Sequence, residues 1–260
     1  MTTPDNKTIT YEKAQLAEVI CQLRFPPILS IEANVPALFQ DGIRASFPGY
    51  QKIVEQQPPV NGQPQTVNNH AFISADGKYK LNLTKNFISL STVSYTCWED
   101  FAGWLDEPLG RFIEIYKPAY FERVGLRYIN AISREKLGIS GTAWSELISS
   151  EYLGILGGAY DEKSIAKCAV EAEMSLTADV KVKLHSGPGF IKRNVKVGNA
   201  VRSVQDPEQR FIFDQDVYSS GNIRLPDAVS QLEEIHRCAD NLFGDAITDE
   251  LHDALGPVYS

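Results

Sequence analysis

The chain has 260 residues, close to the size of about 250–300 residues at which one hydrophobic core stops growing. Hydrophobic residues make up 43% and charged residues 22%, ordinary proportions that exclude a disordered or fibrous chain. The formal net charge of −8 argues against whole-surface binding to nucleic acid or anionic lipid. We therefore expect one domain over residues 1–260.

Targeting signals and cysteine motifs are not evident. No apolar run approaches the roughly 18 residues that cross a bilayer, and the first residues lack the basic and apolar regions of a signal peptide. The four cysteines form no C-x-x-C pair, which favours buried structural thiols over a zinc or redox site. We expect a cytoplasmic protein without a membrane partner or a cofactor.

The N-terminal half, residues 12–132, begins with a strand at residues 17–25, where apolar and polar residues alternate. The polar stretch 56–69 predicts a long loop or protruding hairpin. Asp76-Gly77 lies between two alternating segments and predicts a hairpin with a type I′ turn.

A helical stripe follows at residues 98–116. Thr96 and Glu99 have capping-box spacing, and Pro108 predicts a kink or a break. A strand is then predicted at residues 121–132, with Arg123 and Arg127 on one face.

Residues 133–164 are rich in Gly and Ser and are interpreted as a connection to the C-terminal half, residues 165–255. The sequence pattern of this half predicts a hairpin from segments 166–176 and 180–184, a turn at 186–189 and a strand at 210–218. A helix from Pro226 completes it, with Val229 and Leu232 on its inward stripe.

These elements predict the α+β class: a mainly antiparallel sheet with long amphipathic helices on one face. Both halves contain a strand, a meander and a long helix, so the pattern also suggests two similar halves, on architecture rather than on residue identity.

The most distinctive charge feature is a basic segment at residues 180–205, with six Lys or Arg and no acid. Because the whole chain carries −8 and this segment +6, the rest carries −14. Such a surface attracts phosphates or an acidic partner, although outward lysines also protect an edge hairpin from aggregation. The candidate binding residues are Lys181, Lys183, Lys192, Arg193, Lys196, Arg123 and Arg127.

Other groups of candidate metal-ligating or ligand-binding residues are weaker indicators of function. Asp214 and Asp216 share one strand face, as a divalent-metal site requires, but a solvated face explains them better. Glu233 and His236 have the helical spacing of bundle metal ligands in a single copy. Trp98 and Trp104 either line a ligand cavity or pack in the core, and packing is favoured. No catalytic or metal-ligating residue is therefore assigned.

Three segments carry a resemblance to a known family: residues 18–25 (EVICQLRF), 121–130 (FERVGLRYIN) and 213–218 (FDQDVY). They resemble a sporadically distributed, uncharacterised bacterial family of about this length, with "LRFP"-type and "ERVGLRYIN"-type segments. The resemblance spans nearly the whole chain and implies no catalytic or binding residue. Phage-defence and toxin–antitoxin modules have a similarly patchy distribution. By analogy, the resemblance suggests a mobile module of that type.

Three functional hypotheses follow. The first is a non-enzymatic binding or assembly component whose partner is another protein or a second copy, since acid–base, nucleophile and metal sets are missing. The alternative is binding of nucleic acid or a phosphate ligand through the basic hairpin. The third is a metal-dependent nuclease using Asp214 and Asp216.

Overall fold

A computed structural model describes the backbone of residues 9–60, 63–197 and 200–259. Within these ranges, the side chains of residues 57–60, 63–65, 193–197 and 200–202 lie outside the described part.

The strands in chain order are β1 (Ile9–Tyr11), β2 (Leu16–Arg24), β3 (Gly49–Val60), β4 (Gln63–Ile73), β5 (Tyr79–Leu83), β6 (Phe87–Thr92), β7 (Phe121–Ile132), β8 (Val170–Ser175), β9 (Lys181–Val197), β10 (Ala200–Ile223) and β11 (Pro257–Tyr259). The helices are α1 (Leu29–Ala33), α2 (Ala37–Ile43), α3 (Trp98–Tyr116), α4 (Arg134–Leu137), α5 (Trp144–Leu147), α6 (Ala228–Ala246) and α7 (Asp249–Leu255). In the described part of the chain, no helix is both long enough and apolar enough to cross a membrane.

Nine strands form one antiparallel sheet in the order β3-β4-β5-β6-β2-β7-β10-β9-β8, and β1 pairs with β11 in a second, two-stranded sheet. In each half, a first strand lies near the middle of the large sheet and pairs with the last strand of the meander that follows it. β2 pairs with β6 and β7 pairs with β10, after which α3 and α6 follow. In its strand pairing, β7 therefore corresponds to β2.

The long helices α3 and α6 cover one face of the sheet, which confirms the predicted α+β class. Phe112 of α3 packs against Phe25, with ring centroids 4.6 Å apart, and Leu232 and Ile235 of α6 are buried in the same core. We call this the covered face and its opposite the open face. Val229, predicted on the inward stripe, is instead 55% exposed.

The Asp76-Gly77 hairpin joins β4 to β5 as predicted, but its turn is not type I′. Only Gly77 has a positive φ, of 71°, whereas type I′ requires positive φ at two successive residues. The Gly77 amide donates to the Ser74 carbonyl at 2.9 Å and the Tyr79 carbonyl accepts from the Ser74 amide at 3.0 Å. Four residues, 75–78, therefore separate the hydrogen-bonded Ser74 and Tyr79, whereas a type I′ hairpin has a two-residue loop.

The start of α3 also differs from the prediction. Its N-cap is Cys97, which makes no side-chain cap bond, and Thr96 instead donates to Asp100 at 2.7 Å. The helix runs without a break through Pro108.

The predicted turn at residues 186–189 is wrong, because these residues lie inside β9. Ser186 is paired with Phe213 and Gly189 with Arg210, so the strand continues to Val197. A Cβ at Gly187 would lie 2.5 Å from the Cys168 carbonyl. A close approach of two backbones therefore explains Gly187. Glycine in a sequence is compatible with both a turn and a close backbone approach, so the sequence alone does not distinguish them.

Candidate functional site

The two arginines predicted for binding lie on the open face and are paired with the two aspartates. Arg127 donates to both carboxylate oxygens of Asp214, at 2.8 and 2.5 Å. Arg123 donates to Asp216 at 2.5 Å and lies over the Tyr218 ring, 4.5 Å from its centroid. Paired arginines attract external phosphate weakly, and paired aspartates are poor metal ligands.

Other groups on the open face are also matched across strands. Lys183 lies 4.0 Å from Glu173, and His185 Nδ1 lies 2.5 Å from Glu171. Lys181, also exposed, has no ion-pair partner among the described residues. Together with Arg127, Asp214 and Asp216, Lys183 and His185 line an open groove of about 520 Å³. Among the described residues, no three His, Cys, Asp or Glu come together as a metal site would require.

The remaining predicted cations lie further along β9. Beyond the Pro188–Phe211 pair, β9 and β10 pair only with each other among the described strands. We call residues 189–197 and 200–210 the basic arm. Its cations are Lys192, Arg193, Lys196 and Arg202, and it has no acid between residues 189 and 205. Lys192 is exposed, whereas the side chains of Arg193 and Lys196 lie outside the described part.

The base of the basic arm is fixed to the body by an ionic cluster. Arg210 donates to Asp206 at 2.8 Å and to Glu208 at 3.3 Å. Glu208 also accepts from the Ser133 hydroxyl at 2.7 Å and from the Glu135 amide at 3.2 Å. The acids at the base are therefore engaged, and a bulge between Gln205 and Gln209 lies in the same place.

A second candidate site is a cavity of about 100 Å³ on the covered face, which we call the central cavity. Two paired strands of the sheet supply part of its wall: Tyr128 and Asn130 come from β7, and Gln215 from β10. In register, Gln215 lies directly opposite Tyr128. The remaining wall comes from β1, the start of α3 and α6, chiefly Tyr11, Tyr95, Cys97, Trp98, Glu99, His236, Asp240 and Phe243.

A chain of polar contacts runs along the cavity wall. His236 Nδ1 lies 3.0 Å from the Tyr128 hydroxyl and His236 Nε2 lies 3.3 Å from the Asp240 carboxylate. The His236 ring is stacked on Trp98 at 4.7 Å, and the Trp98 indole donates to Glu233 at 3.0 Å. Glu233 thus holds Trp98 and does not share a metal with His236.

Burial lowers the pKa of His236 to about 4, so the ring is neutral at pH 7. In a neutral imidazole one ring nitrogen donates and the other accepts, and Nδ1 lies within hydrogen-bond distance of the Tyr128 hydroxyl. Burial, followed by the nearby Glu99 carboxylate, raises the pKa of Asp240 to about 7. Since 54% of the Asp240 side chain is exposed at the cavity mouth, solvent screens this carboxyl, and the upward direction is what the geometry supports.

One polar atom of the cavity wall has no partner. Gln215 is 2% exposed, and its Oε1 is buried without a hydrogen bond. Nearly all buried polar groups in folded proteins have a partner. Gln215 Oε1 is therefore an unpaired acceptor in the wall of the cavity.

Sequence reasoning found only parts of this second site. It weighed Trp98 as a cavity residue, and Trp98 lines the cavity, while Trp104 stacks on Tyr79 in the core at 4.5 Å. It missed the pairing of His236 with Asp240, although their i, i+4 spacing places both on one helix side. Of the expected buried thiols, Cys21 and Cys238 are buried, whereas Cys97 and Cys168 are half-buried and all four are free.

A scan against protein-family models finds no match, and a search of curated proteins finds none either.

Proposed function

We propose that this protein is a non-enzymatic binding component that engages nucleic acid through its basic arm. The observation that carries the proposal is the contrast along β9: Lys183 near its start lies 4.0 Å from Glu173 on the neighbouring strand, whereas the segment from 189 to 205 has no acid. A local excess of positive charge favours neutralisation of phosphates, with release of their counterions.

The shape of the arm supports the same partner. A two-stranded ribbon fits the major groove of duplex DNA. With about 3.3 Å per residue, the nine residues 189–197 extend about 30 Å, close to one duplex turn of about 34 Å. Phe190 and Val204, at 46% and 48% exposure, add apolar contact area on the arm.

Anchoring of the arm also favours binding. Because Arg210, Glu208 and Ser133 fix its base, less orientational freedom is lost when it docks. The negative remainder of the chain limits contact to the arm, so we expect modest affinity with little sequence preference. The proposal places the protein in the cytoplasm, and a second protein as the acidic partner is an alternative outcome of the test.

The test compares two double charge reversals on the same strand. Fluorescence anisotropy with a labelled duplex of about 20 base pairs, at about 50 mM salt, should show binding that Lys192→Glu with Lys196→Glu weakens at least about 10-fold. Lys181→Glu with Lys183→Glu should change the affinity by less than about threefold, because both positions precede the basic arm and Lys183 already lies 4.0 Å from Glu173. Circular dichroism confirms that each variant is folded.

No binding of DNA or RNA at low salt would overturn the proposal. Equal losses in the two variants would also count against it, because the distal cations would then have no special role. Binding of an acidic polypeptide such as polyglutamate, without binding of nucleic acid, would assign the arm to a protein partner.

A further inference from the structure

The central cavity has a composition that selects for charge. Among the residues that line it, Glu99 and Asp240 are acidic and none is Lys or Arg. His236 is neutral because its pKa lies at about 4. Above pH 7, where Asp240 is ionised, the wall carries negative charge and no positive side chain, which repels anions and attracts a cation.

The wall also offers the other contacts that an organic cation uses. Tyr95 and Tyr128 meet edge to face at 5.9 Å, and Tyr11 and Trp98 add further ring surface. Ring faces attract ammonium groups through the quadrupole of the ring. Gln215 Oε1, buried and without a partner, is an acceptor for an N–H donor.

We propose that the central cavity binds the head group of a small primary amine, with Asp240 and Glu99 supplying charge, the aromatic rings a cation–π wall, and Gln215 a hydrogen-bond acceptor. Its volume of about 100 Å³ is several times the roughly 10–15 Å³ that one water needs, which is enough for an ethylammonium-sized head. The inference does not depend on nucleic-acid binding by the arm.

The experiment uses ethylammonium chloride as the probe on the full chain. Thermal unfolding and titration calorimetry are run at constant ionic strength with ethylammonium chloride, sodium acetate, ethanol or sodium chloride. We expect saturable heat and a rise in Tm with ethylammonium and not with the other three solutes. At about pH 8, where the Asp240 carboxyl is ionised, Asp240→Asn should weaken ethylammonium binding at least about 10-fold, because it removes a negative charge from the cavity wall.

A matched control is Asp245→Asn, on the same helix and exposed but not part of the cavity wall; it should bind as the wild type does. Gln215→Met should weaken binding severalfold while the protein stays folded, which circular dichroism checks. Equal responses to acetate and ethylammonium, a response that survives in both Asp240→Asn and Gln215→Met, or no saturable response at all would overturn the proposal. In the last case the cavity is a water site only.

Discussion

Strands β7 and β10 use polar side chains in opposite ways on their two faces. On the open face, Arg127 and Arg123 are paired with Asp214 and Asp216. On the covered face, the same two strands carry Tyr128 and Gln215, and Gln215 Oε1 has no partner. Many charges on a strand therefore do not indicate a binding surface by themselves. A group whose hydrogen bonding or charge is unmatched is the better indicator.

The largest expected effect concerns His236 on the covered face. Its pKa is about 4 in the folded chain against 6.5 for an ordinary histidine. The unfolded chain therefore binds more protons between pH 4 and 6.5, so the stability that His236 contributes is present above pH 6.5 and is lost as pH falls to 4. The shift corresponds to about 3 kcal/mol.

Asp240 opposes this trend, because a raised carboxyl pKa gives stability at low pH that is lost as pH rises towards 7. Asp240→Asn should therefore steepen the loss of stability on acidification, and His236→Gln should reverse its sign between pH 4 and 6.5. The groups that face this pair are Glu99, Tyr95 and Tyr128. Urea unfolding of both variants across this range provides the measurement, and parallel profiles would contradict the assignment.

The second expected effect is a loss of stability when an ion pair on the open face is broken. Arg127→Met should lower the free energy of unfolding by about 2 kcal/mol, because it leaves the Asp214 carboxylate, only 16% exposed, without its cation. Arg24→Met is the control, since Arg24 is exposed on the adjacent strand and has no ion pair among the described residues. Chemical unfolding should show less than about 0.5 kcal/mol for the control; equal losses would mean that the pairing carries no stability.

The third effect has the opposite sign and tests the covered face. Gln215→Met should raise the free energy of unfolding by about 1 kcal/mol, because an apolar side chain of similar shape replaces a buried acceptor that has no partner. The measurement is denaturant unfolding without any amine present. A loss of stability of similar size would show that Oε1 is already satisfied inside the folded chain.

The smallest expected effect is on duplex affinity, after a substitution that gives a cation of the basic arm an acidic neighbour like those on the open face. Gln205 lies opposite Lys192, so Gln205→Glu gives this lysine a cross-strand acid, as Glu173 does for Lys183. We expect duplex affinity to fall about threefold. Gln51→Glu, exposed on β3 in the other half of the sheet, is the control and should change affinity less. An unchanged affinity in Gln205→Glu would indicate that Lys192 does not contact the nucleic acid.

Local patterns in the sequence were sufficient for most elements of the fold. Alternation at 17–25 and 121–132 predicted β2 and β7, and the apolar stripe from Leu232 onwards predicted α6, because these signals lie within one element. The glycines of residues 186–189 led to the wrong prediction of a turn, because a turn and a close backbone approach both select glycine. The continuous course of β9, and with it the length of the arm, could not be recognised while a turn was placed there.

The candidate sites depend on long-range register, which a single sequence does not display. Arg127 and Asp214 are 87 residues apart, and only their strand pairing shows that the predicted basic face is neutralised. The central cavity likewise joins Tyr11, Trp98 and His236 from three separate elements. The i, i+4 spacing of His236 and Asp240 was the one local signal for it, and such pairs are also common on helix surfaces.

The most direct test of the central claim is the salt dependence of duplex binding by the wild-type chain. If the four cations of the basic arm each neutralise a phosphate, the logarithm of the binding constant should fall with the logarithm of the salt concentration with a slope of about −3 to −4. A slope near zero, or no binding at the lowest salt concentration, would contradict it.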